Sequence, residues 1–286
     1  MFPLIGKATA APPAHRCDLR RVASFILLFV AQVDWSRADE VGLWKRYEVA
    51  IDGVAYDANP FDVDIEAVFT SPTGRSFTQI GFYAGGDVWK IYFMPDEVGV
   101  WSYQLRGGDV KSRELSGGFT CVDSDLLAPV VAHGNRWRIQ NGRGDFPVIW
   151  NPPVDDRTHW GFRSHKSSDP AVEAALRFAD EVVGARFLAL GELVVFPIDW
   201  AKDWPQDAVP YVQGREGEEF HLPFWDQLNA KLDAARDRNI GLYVMFYSDD
   251  ALTPDRFGVT PYSPQELRLF RYAVARLACY PHVLWD

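Results

Sequence analysis

The sequence predicts a multidomain chain in which an immunoglobulin-like antiparallel β-sandwich precedes the first half of a (β/α)8 barrel. Two observations lead to this fold class. Up to about residue 122, apolar and polar residues alternate in short runs, which is typical of strands with one buried face. Beyond residue 130, runs that are almost entirely apolar alternate with segments of helical periodicity. That second pattern indicates parallel βαβ units.

The N-terminal segment, residues 1–38, has the pattern of a secretory signal peptide. The basic stretch 15–23 precedes the apolar run 23–33, and Ser36 and Ala38 fit a cleavage site after Ala38. The apolar run is too short for a good transmembrane helix. The alternative is a buried strand or helix. We therefore expect a secreted or periplasmic protein that has no membrane attachment after cleavage.

Six strands are predicted for the sandwich, residues 39–122. In one of them Val63, Ile65, Ala67 and Phe69 share a face, with Asp64 and Glu66 on the other. Gly-, Pro- and Asp-rich turn sequences separate the runs, and their spacing favours a sandwich. The predicted strands are 45–51, 63–70, 76–82, 88–93, 100–105 and 119–122.

A linker, residues 123–130, leads to the second region, residues 131–286. Apolar runs at 146–150, 185–190, 240–246 and 282–286 read as strands. Between them, 170–184, 223–239 and 263–280 have helical periodicity. Pro170 suits a first helical turn and Gly184 suits a helix end, while Ser263 and Glu266 form a capping box. The last helix carries an apolar stripe: Leu267, Phe270, Val274, Leu277 and Ala278.

Four strands make half of a barrel. A complete barrel has eight strands and about 250 residues, whereas the second region holds four predicted strands. The alternative is a complete doubly wound sheet of four strands, but no helix follows the last strand to cover it. The long segments after the first two strands are rich in Trp, Asp and Pro, as expected of loops that build a site at a barrel mouth.

Composition excludes several function classes. The formal net charge is −10 and no basic patch follows residue 38, so we expect no nucleic-acid partner. Cys121 and Cys279 either form a disulfide or are buried thiols, and Cys17 lies in the signal segment. No Cys or His has zinc-ligand spacing, and the aspartates of the 199–207 loop match no calcium-binding pattern. We expect neither a metal nor a cofactor.

Two stretches resemble known families. "LWKRYEVAI…NPFDVDIEAVFTSPTG…GFYAGGDVWKIYFMPDEVGVWSY" resembles the DUF5060 β-sandwich. "HGNRWRIQNGRGDFPVIW" and "YSPQELRLFRYAVARLACYPHVLWD" resemble the DUF4038, apiosidase-like barrels that follow such a domain. Together these stretches represent nearly the whole mature chain. The resemblance implies a secreted glycoside hydrolase that acts on a polysaccharide or an oligosaccharide.

The resemblance also implies that the catalytic carboxylates are missing. In these families the fourth strand continues into a Gly/Asn-rich stretch that ends in the acid/base carboxylate, and the nucleophile lies on a later strand. Residues 280–285 match the fourth strand, and Asp286 is the last residue. The catalytic residues are therefore unknown and this chain is expected to be a fragment. The alternative is a non-catalytic carbohydrate-binding or degenerate protein.

Substrate contacts are expected at the ends of the barrel strands, where flat aromatic rings can stack on sugars and polar side chains can bind hydroxyl groups. Trp150 and Tyr247 could instead pack inside the barrel, and Trp200 and Trp204 could pin their own loop. Asp249 and Asp286 could also form a catalytic pair, but a chain terminus holds a carboxylate poorly. The predicted substrate-binding residues are Trp150, Asn151, Glu192, Trp200, Trp204, Tyr247, Asp249 and Asp286.

Overall fold

The computed structural model describes residues 39–107, 116–140, 149–150, 170–183, 187–188, 210–244 and 258–285. The first region contains eight strands within these ranges. They are β1 (Asp39–Gly42), β2 (Tyr47–Asp52), β3 (Ile65–Thr70), β4 (Ser76–Ile80), β5 (Phe82–Gly85), β6 (Val88–Phe93), β7 (Gly99–Gly107) and β8 (Ser116–Val122).

Two sheets divide these strands. One has the order β1-β8-β7-β3-β4 and the other the order β2-β6-β5. The pair β1 and β8 is parallel, and the remaining pairs are antiparallel. Both sheets contribute to one core, because the alternate residues of each strand that point inward are apolar. That core includes Ile51, Phe69, Trp89, Trp101 and Phe119.

The predicted strand 76–82 is two strands in the structure. The chain leaves the larger sheet after β4 and joins the smaller sheet as β5, with Gly81 between them. The Gly81 N–H donates to the Ile65 carbonyl over 2.7 Å. A Cβ at Gly81 would lie 3.1 Å from Cγ1 of Ile91 and 3.3 Å from the carbonyl oxygens of Ile65 and Lys90. Glycine therefore lets the chain cross between sheets at a position where even a methyl group would be tightly packed.

The first region also has a short 3-10 helix, Pro60–Asp62, and the second region contains the other described elements. A hairpin comes first, formed by β9 (Val130–His133) and β10 (Arg136–Ile139). Four parallel strands follow in the order β11-β12-β13-β14. They are β11 (Ile149–Trp150), β12 (Phe187–Leu188), β13 (Gly241–Val244) and β14 (Val283–Trp285). The described helices are α1 (Pro170–Arg177), which continues as π-helix over Phe178–Val183, α2 (Leu222–Arg236) and α3 (Pro264–Leu277).

The apolar stripe predicted for α3 does not coincide with its buried face. The Ser263 side chain accepts the N–H of Glu266, which confirms the predicted N-cap, but the Glu266 carboxylate accepts from the N–H of Tyr262 and not from that of Ser263, so the capping box is only half formed. Leu267 and Val274, however, are 61% and 52% exposed. Leu277 of the predicted stripe is buried, but the buried face also includes Leu269, Tyr272 and Arg276. It is turned away from the predicted stripe because Tyr272 and Arg276 contact Tyr83 and Phe82 of the first region.

The smaller sheet of the first region packs against α2 and α3. Phe61 and Phe82 of the first region share one buried cluster with Trp225, Leu228 and Tyr272 of the second. The described residues of both regions accordingly belong to one compact unit.

Polar contacts reinforce the same junction. The Tyr272 hydroxyl donates to the carbonyl of Tyr83 over 3.1 Å. Arg268 binds both carboxylate oxygens of Asp62, at 2.5 and 2.6 Å. Bidentate arginine–carboxylate pairs of this kind fix orientation as well as distance. We infer that the two regions do not swing independently.

Candidate functional site

The parallel sheet aligns the carboxyl ends of its strands at one edge. Trp150 of β11 pairs with Leu188 of β12, and Val244 of β13 pairs with Trp285 of β14. In parallel α/β folds, ligands bind beyond the carboxyl ends of the strands. We call this side of the sheet the carboxyl edge.

The predicted substrate-binding residues follow these strand ends in the sequence. Trp150 is the last residue of β11, and its backbone is part of the sheet. The side chain of Trp150 lies outside the described part of the structure, as do the other seven predicted residues. Their chain order still connects them to the carboxyl edge: Asn151 after β11, Glu192, Trp200 and Trp204 after β12, Tyr247 and Asp249 after β13, and Asp286 after β14.

Trp285 is an aromatic residue at this edge that the sequence analysis did not select. It ends β14, and its side chain is 46% exposed. The paired residue on the neighbouring strand, Val244, is only 1% exposed. The sequence does contain a signal for Trp285, because this residue ends an apolar run and directly precedes Asp286.

Tyr262 is a second exposed aromatic residue, directly before the cap of α3. It is 91% exposed, and its φ of 61° lies in the left-handed region. Its N–H donates to Oε2 of Glu266 over 2.6 Å, which helps to hold that conformation. A helix between parallel strands returns from the carboxyl edge, so it begins on that side of the sheet. Tyr262 is therefore presented on the side where the site is expected, and non-glycine residues in this conformation are enriched at functional sites.

Arg276 is the most buried charged group of the junction, and its role there is structural. Its side chain is 1% exposed. It donates to Oδ1 of Asn229 over 2.8 Å and to the Tyr272 hydroxyl over 3.0 Å, and it pairs with Asp226. Burial raises the pKa of Tyr272 to about 12, so this phenol remains neutral. All these contacts are made within the protein, which argues against a ligand-binding role.

Neither a metal centre nor a disulfide is present among the described residues. No group of three or more His, Cys, Asp or Glu side chains there could hold a metal ion. Cys121 and Cys279 are both buried free thiols. The sequence allowed either a disulfide or two buried thiols, and the structure has two buried thiols.

No described helix is both long and apolar enough to cross a membrane.

The sequence and the fold each match known proteins. Residues 40–107 match the family model DUF5060, a domain of unknown function. Among curated proteins, none matches the sequence. The structure matches a crystal structure described as a "putative glycoside hydrolase" from Bacteroides vulgatus ATCC 8482, with a TM-score of 0.71 and 22% sequence identity. The match covers 87% of this chain and 49% of the other, so this chain spans about half the length of that protein. At this identity, the likeness shows a similar fold.

Proposed function

We propose that the chain is part of a secreted glycoside hydrolase that acts on a polysaccharide or an oligosaccharide. The observation that carries the proposal is the order of the parallel sheet, β11-β12-β13-β14, which follows the sequence without a reversal. A (β/α)8 barrel arranges its strands in this way, whereas a doubly wound sheet reverses its order at a switch point. The similarity in fold to a protein described as a glycoside hydrolase supports the same class.

The proposed architecture has three parts. Residues 1–38 are a signal peptide that directs secretion, either into the periplasm or out of the cell. Residues 39–122 are a DUF5060-type β-sandwich, in keeping with the family match and with two sheets that share a core. After the linker, residues 131–286 are the first half of a DUF4038-type barrel.

The proposed substrate site lies at the carboxyl edge. Aromatic residues there, Trp150, Trp200, Trp204 and Tyr247, would stack on sugar rings, and Asn151, Glu192, Asp249 and Asp286 would bind hydroxyl groups. Hydrolysis needs two carboxylates that flank the glycosidic bond. We propose that this pair belongs to the part of the enzyme represented in the matched structure but not in residues 1–286, since the match covers 49% of that chain. The reaction requires no cofactor.

A non-catalytic role in glycan binding is the second candidate. The exposure of Tyr262 favours it, because a tyrosine can contact a sugar without any catalytic carboxylate. Both candidates predict glycan binding, but only the glycoside hydrolase predicts hydrolysis.

Two measurements test the proposal. The first presents the 286-residue chain to an array of plant and microbial oligosaccharides and assays hydrolysis of chromogenic glycosides. The second extends the DNA sequence beyond codon 286 and repeats both assays on any longer product. We expect glycan binding by both proteins and hydrolysis by the longer one alone. Hydrolysis by the 286-residue chain would contradict the placement of the catalytic pair, and absence of glycan binding by both proteins would overturn the proposed function.

A further inference from the structure

Two tyrosines of the first region converge on one exposed turn. The hydroxyl groups of Tyr56 and Tyr83 donate to the same acceptor, the carbonyl of Gly86, over 3.4 and 3.3 Å. Tyr56 is 40% exposed and Tyr83 is half-buried. Both bonds are long, and each hydroxyl oxygen keeps lone pairs for another donor. This pair, which we call the tyrosine patch, therefore presents aromatic surface and hydroxyl groups together.

The rings of the tyrosine patch pack against the buried side chain of Trp89. Trp89 is fully buried, and its ring centroid lies 5.3 Å from that of Tyr56 and 5.1 Å from that of Tyr83. The two tyrosine rings are 6.1 Å apart, with an interplanar angle of 67°. Aromatic rings with few rotatable bonds, fixed by their neighbours, lose little conformational entropy when a ligand binds.

The patch lies near the start of α2, which is on the same side of the second region as the carboxyl edge. Gly85, the residue before the turn, lies so close to α2 that an added Cβ would be 3.2 Å from Cδ1 of Leu222. Leu222 is the first residue of α2, the end of that helix on the side of the carboxyl edge. Asn59, three residues after Tyr56, donates to the Glu218 carbonyl in the segment that leads into α2.

The charges around the patch favour an uncharged ligand. Asp57 and Asp87 adjoin its residues in sequence, and Glu219 lies close enough to influence Tyr83 electrostatically. The nearby Arg215 is already paired with Glu218 and Glu219. Burial, together with the neighbouring Tyr56 hydroxyl, raises the pKa of Tyr83, so its hydroxyl stays protonated and neutral. An anionic ligand would meet carboxylates here, whereas sugar hydroxyl groups can bind to both carboxylates and phenols.

We propose that the tyrosine patch is an additional subsite for neutral sugars, which extends glycan binding from the carboxyl edge of the second region onto the first. This inference rests on the proposed function. Its distinctive consequence is a dependence on ligand length, because a short oligosaccharide bound at the carboxyl edge would not reach the patch.

The test is calorimetric titration of the 286-residue chain with oligosaccharides of increasing length, chosen from the series that binds on the array. We expect Tyr56→Ala to weaken the binding of the longest oligosaccharides about tenfold, equivalent to about 1.4 kcal/mol, and to leave disaccharide binding unchanged. Tyr56→Phe keeps the ring and the fold, and we expect it to weaken the binding of the longest oligosaccharides about threefold. Tyr103→Phe, which removes a hydroxyl group from the larger sheet, is the control and should bind as the wild type does.

The outcomes separate the two proposals. If the wild type binds oligosaccharides and both Tyr56 variants bind every length equally well, the subsite is wrong and the proposed function stands. A loss that is the same for short and long oligosaccharides would also overturn the subsite, since it would indicate a general structural effect. If the wild type binds none of the oligosaccharides, the proposed function fails and the subsite fails with it.

Discussion

The guanidinium group of Arg46 donates a 2.7 Å hydrogen bond to the hydroxyl of Tyr280, which joins the first region to the segment that precedes β14. The same group lies 3.0 Å from the carboxylate of Asp233 and 4.2 Å from the ring centroid of Tyr92. The Tyr280 hydroxyl in turn donates to the Asn229 carbonyl over 3.2 Å. One side chain from the first region therefore binds both α2 and the segment between α3 and β14.

Arg46→Ala should weaken the junction of the two regions. It removes a hydrogen bond, an ion pair and a cation–π contact at a position where the arginine side chain is only 20% exposed. We expect the free energy of unfolding to fall by about 2 kcal/mol, less than for a fully buried ion pair. Urea denaturation at neutral pH measures the change.

Arg75→Ala is the matched control for Arg46. Arg75 pairs with Asp96 and Glu97, but its side chain is 49% exposed. Arg75 binds both carboxylate oxygens of Asp96, but solvent screens this exposed pair, so we expect Arg75→Ala to lose less stability than Arg46→Ala. Equal losses for the two variants would contradict the importance of the junction.

Gly81→Ala should destabilise the first region where the chain changes sheets. The added methyl group would press on Ile91 and on the carbonyl oxygens of Ile65 and Lys90. Overpacking of this kind costs about 1–3 kcal/mol, and urea denaturation would show it as a lower midpoint. Gly53→Ala is the comparison that separates overpacking from backbone strain. Gly53 has a φ of +72° and nothing within 4 Å of an added Cβ, so any loss of stability in Gly53→Ala comes from backbone strain alone. An unchanged midpoint for Gly81→Ala would show that the neighbours of residue 81 accommodate a methyl group without loss of stability.

The two buried thiols should resist alkylation. Burial raises the pKa of Cys121 to about 11 and that of Cys279 to about 12, which leaves almost no reactive thiolate near neutral pH. We expect iodoacetamide at about pH 8 to leave both residues unmodified in the native protein and to modify both in guanidinium chloride. Peptide mapping by mass spectrometry distinguishes them from Cys17. Modification in the native protein, or a disulfide-linked pair of peptides, would contradict the structure.

Local patterns predicted the interior of the strands well and their boundaries less well. The alternation around Ile65, Ala67 and Phe69 identified the buried face of β3, since the side-chain period of a strand is two. Strand β1, Asp39–Gly42, was missed because it joins its sheet by backbone pairing with β8 and carries little apolar signal of its own. The crossing at Gly81 depends on close contacts with two other strands, which local sequence does not encode.

The parallel sheet and its carboxyl edge were predictable from the sequence, whereas the side chains of the candidate site stay predictions. Alternating strands and helices imply a carboxyl edge, and the observed strand order agrees with that expectation. The exposure of Trp285, Tyr262 and Tyr56 depends on which distant segments cover them, so neither residue type nor spacing revealed it. Tyr56 is the clearest case, because its position near the carboxyl edge follows from contacts between two regions that are far apart in sequence.

His282 should make the protein sensitive to acid. Burial, together with the charge of Arg236, lowers the pKa of this imidazole to about 3 from an ordinary value of 6.5. Its Nε2 lies 3.0 Å from the Leu232 carbonyl oxygen, so the neutral ring donates its proton there. The unfolded chain binds a proton below about pH 6.5, whereas the folded chain does so only near pH 3. The stabilisation from a neutral His282 is therefore fully present above pH 6.5 and is lost progressively as the pH falls toward 3.

The expected loss is about 1.4 kcal/mol for each pH unit below 6.5. His282→Gln keeps a donor for Leu232 but does not titrate, so its free energy of unfolding should fall less steeply between about pH 6.5 and 4.5. His133→Gln, at an exposed position of β9, provides the reference slope. Urea denaturation at several pH values measures all three proteins. Parallel slopes for the wild type and His282→Gln would show that His282 takes up its proton without unfolding, and therefore that β14 is open to water.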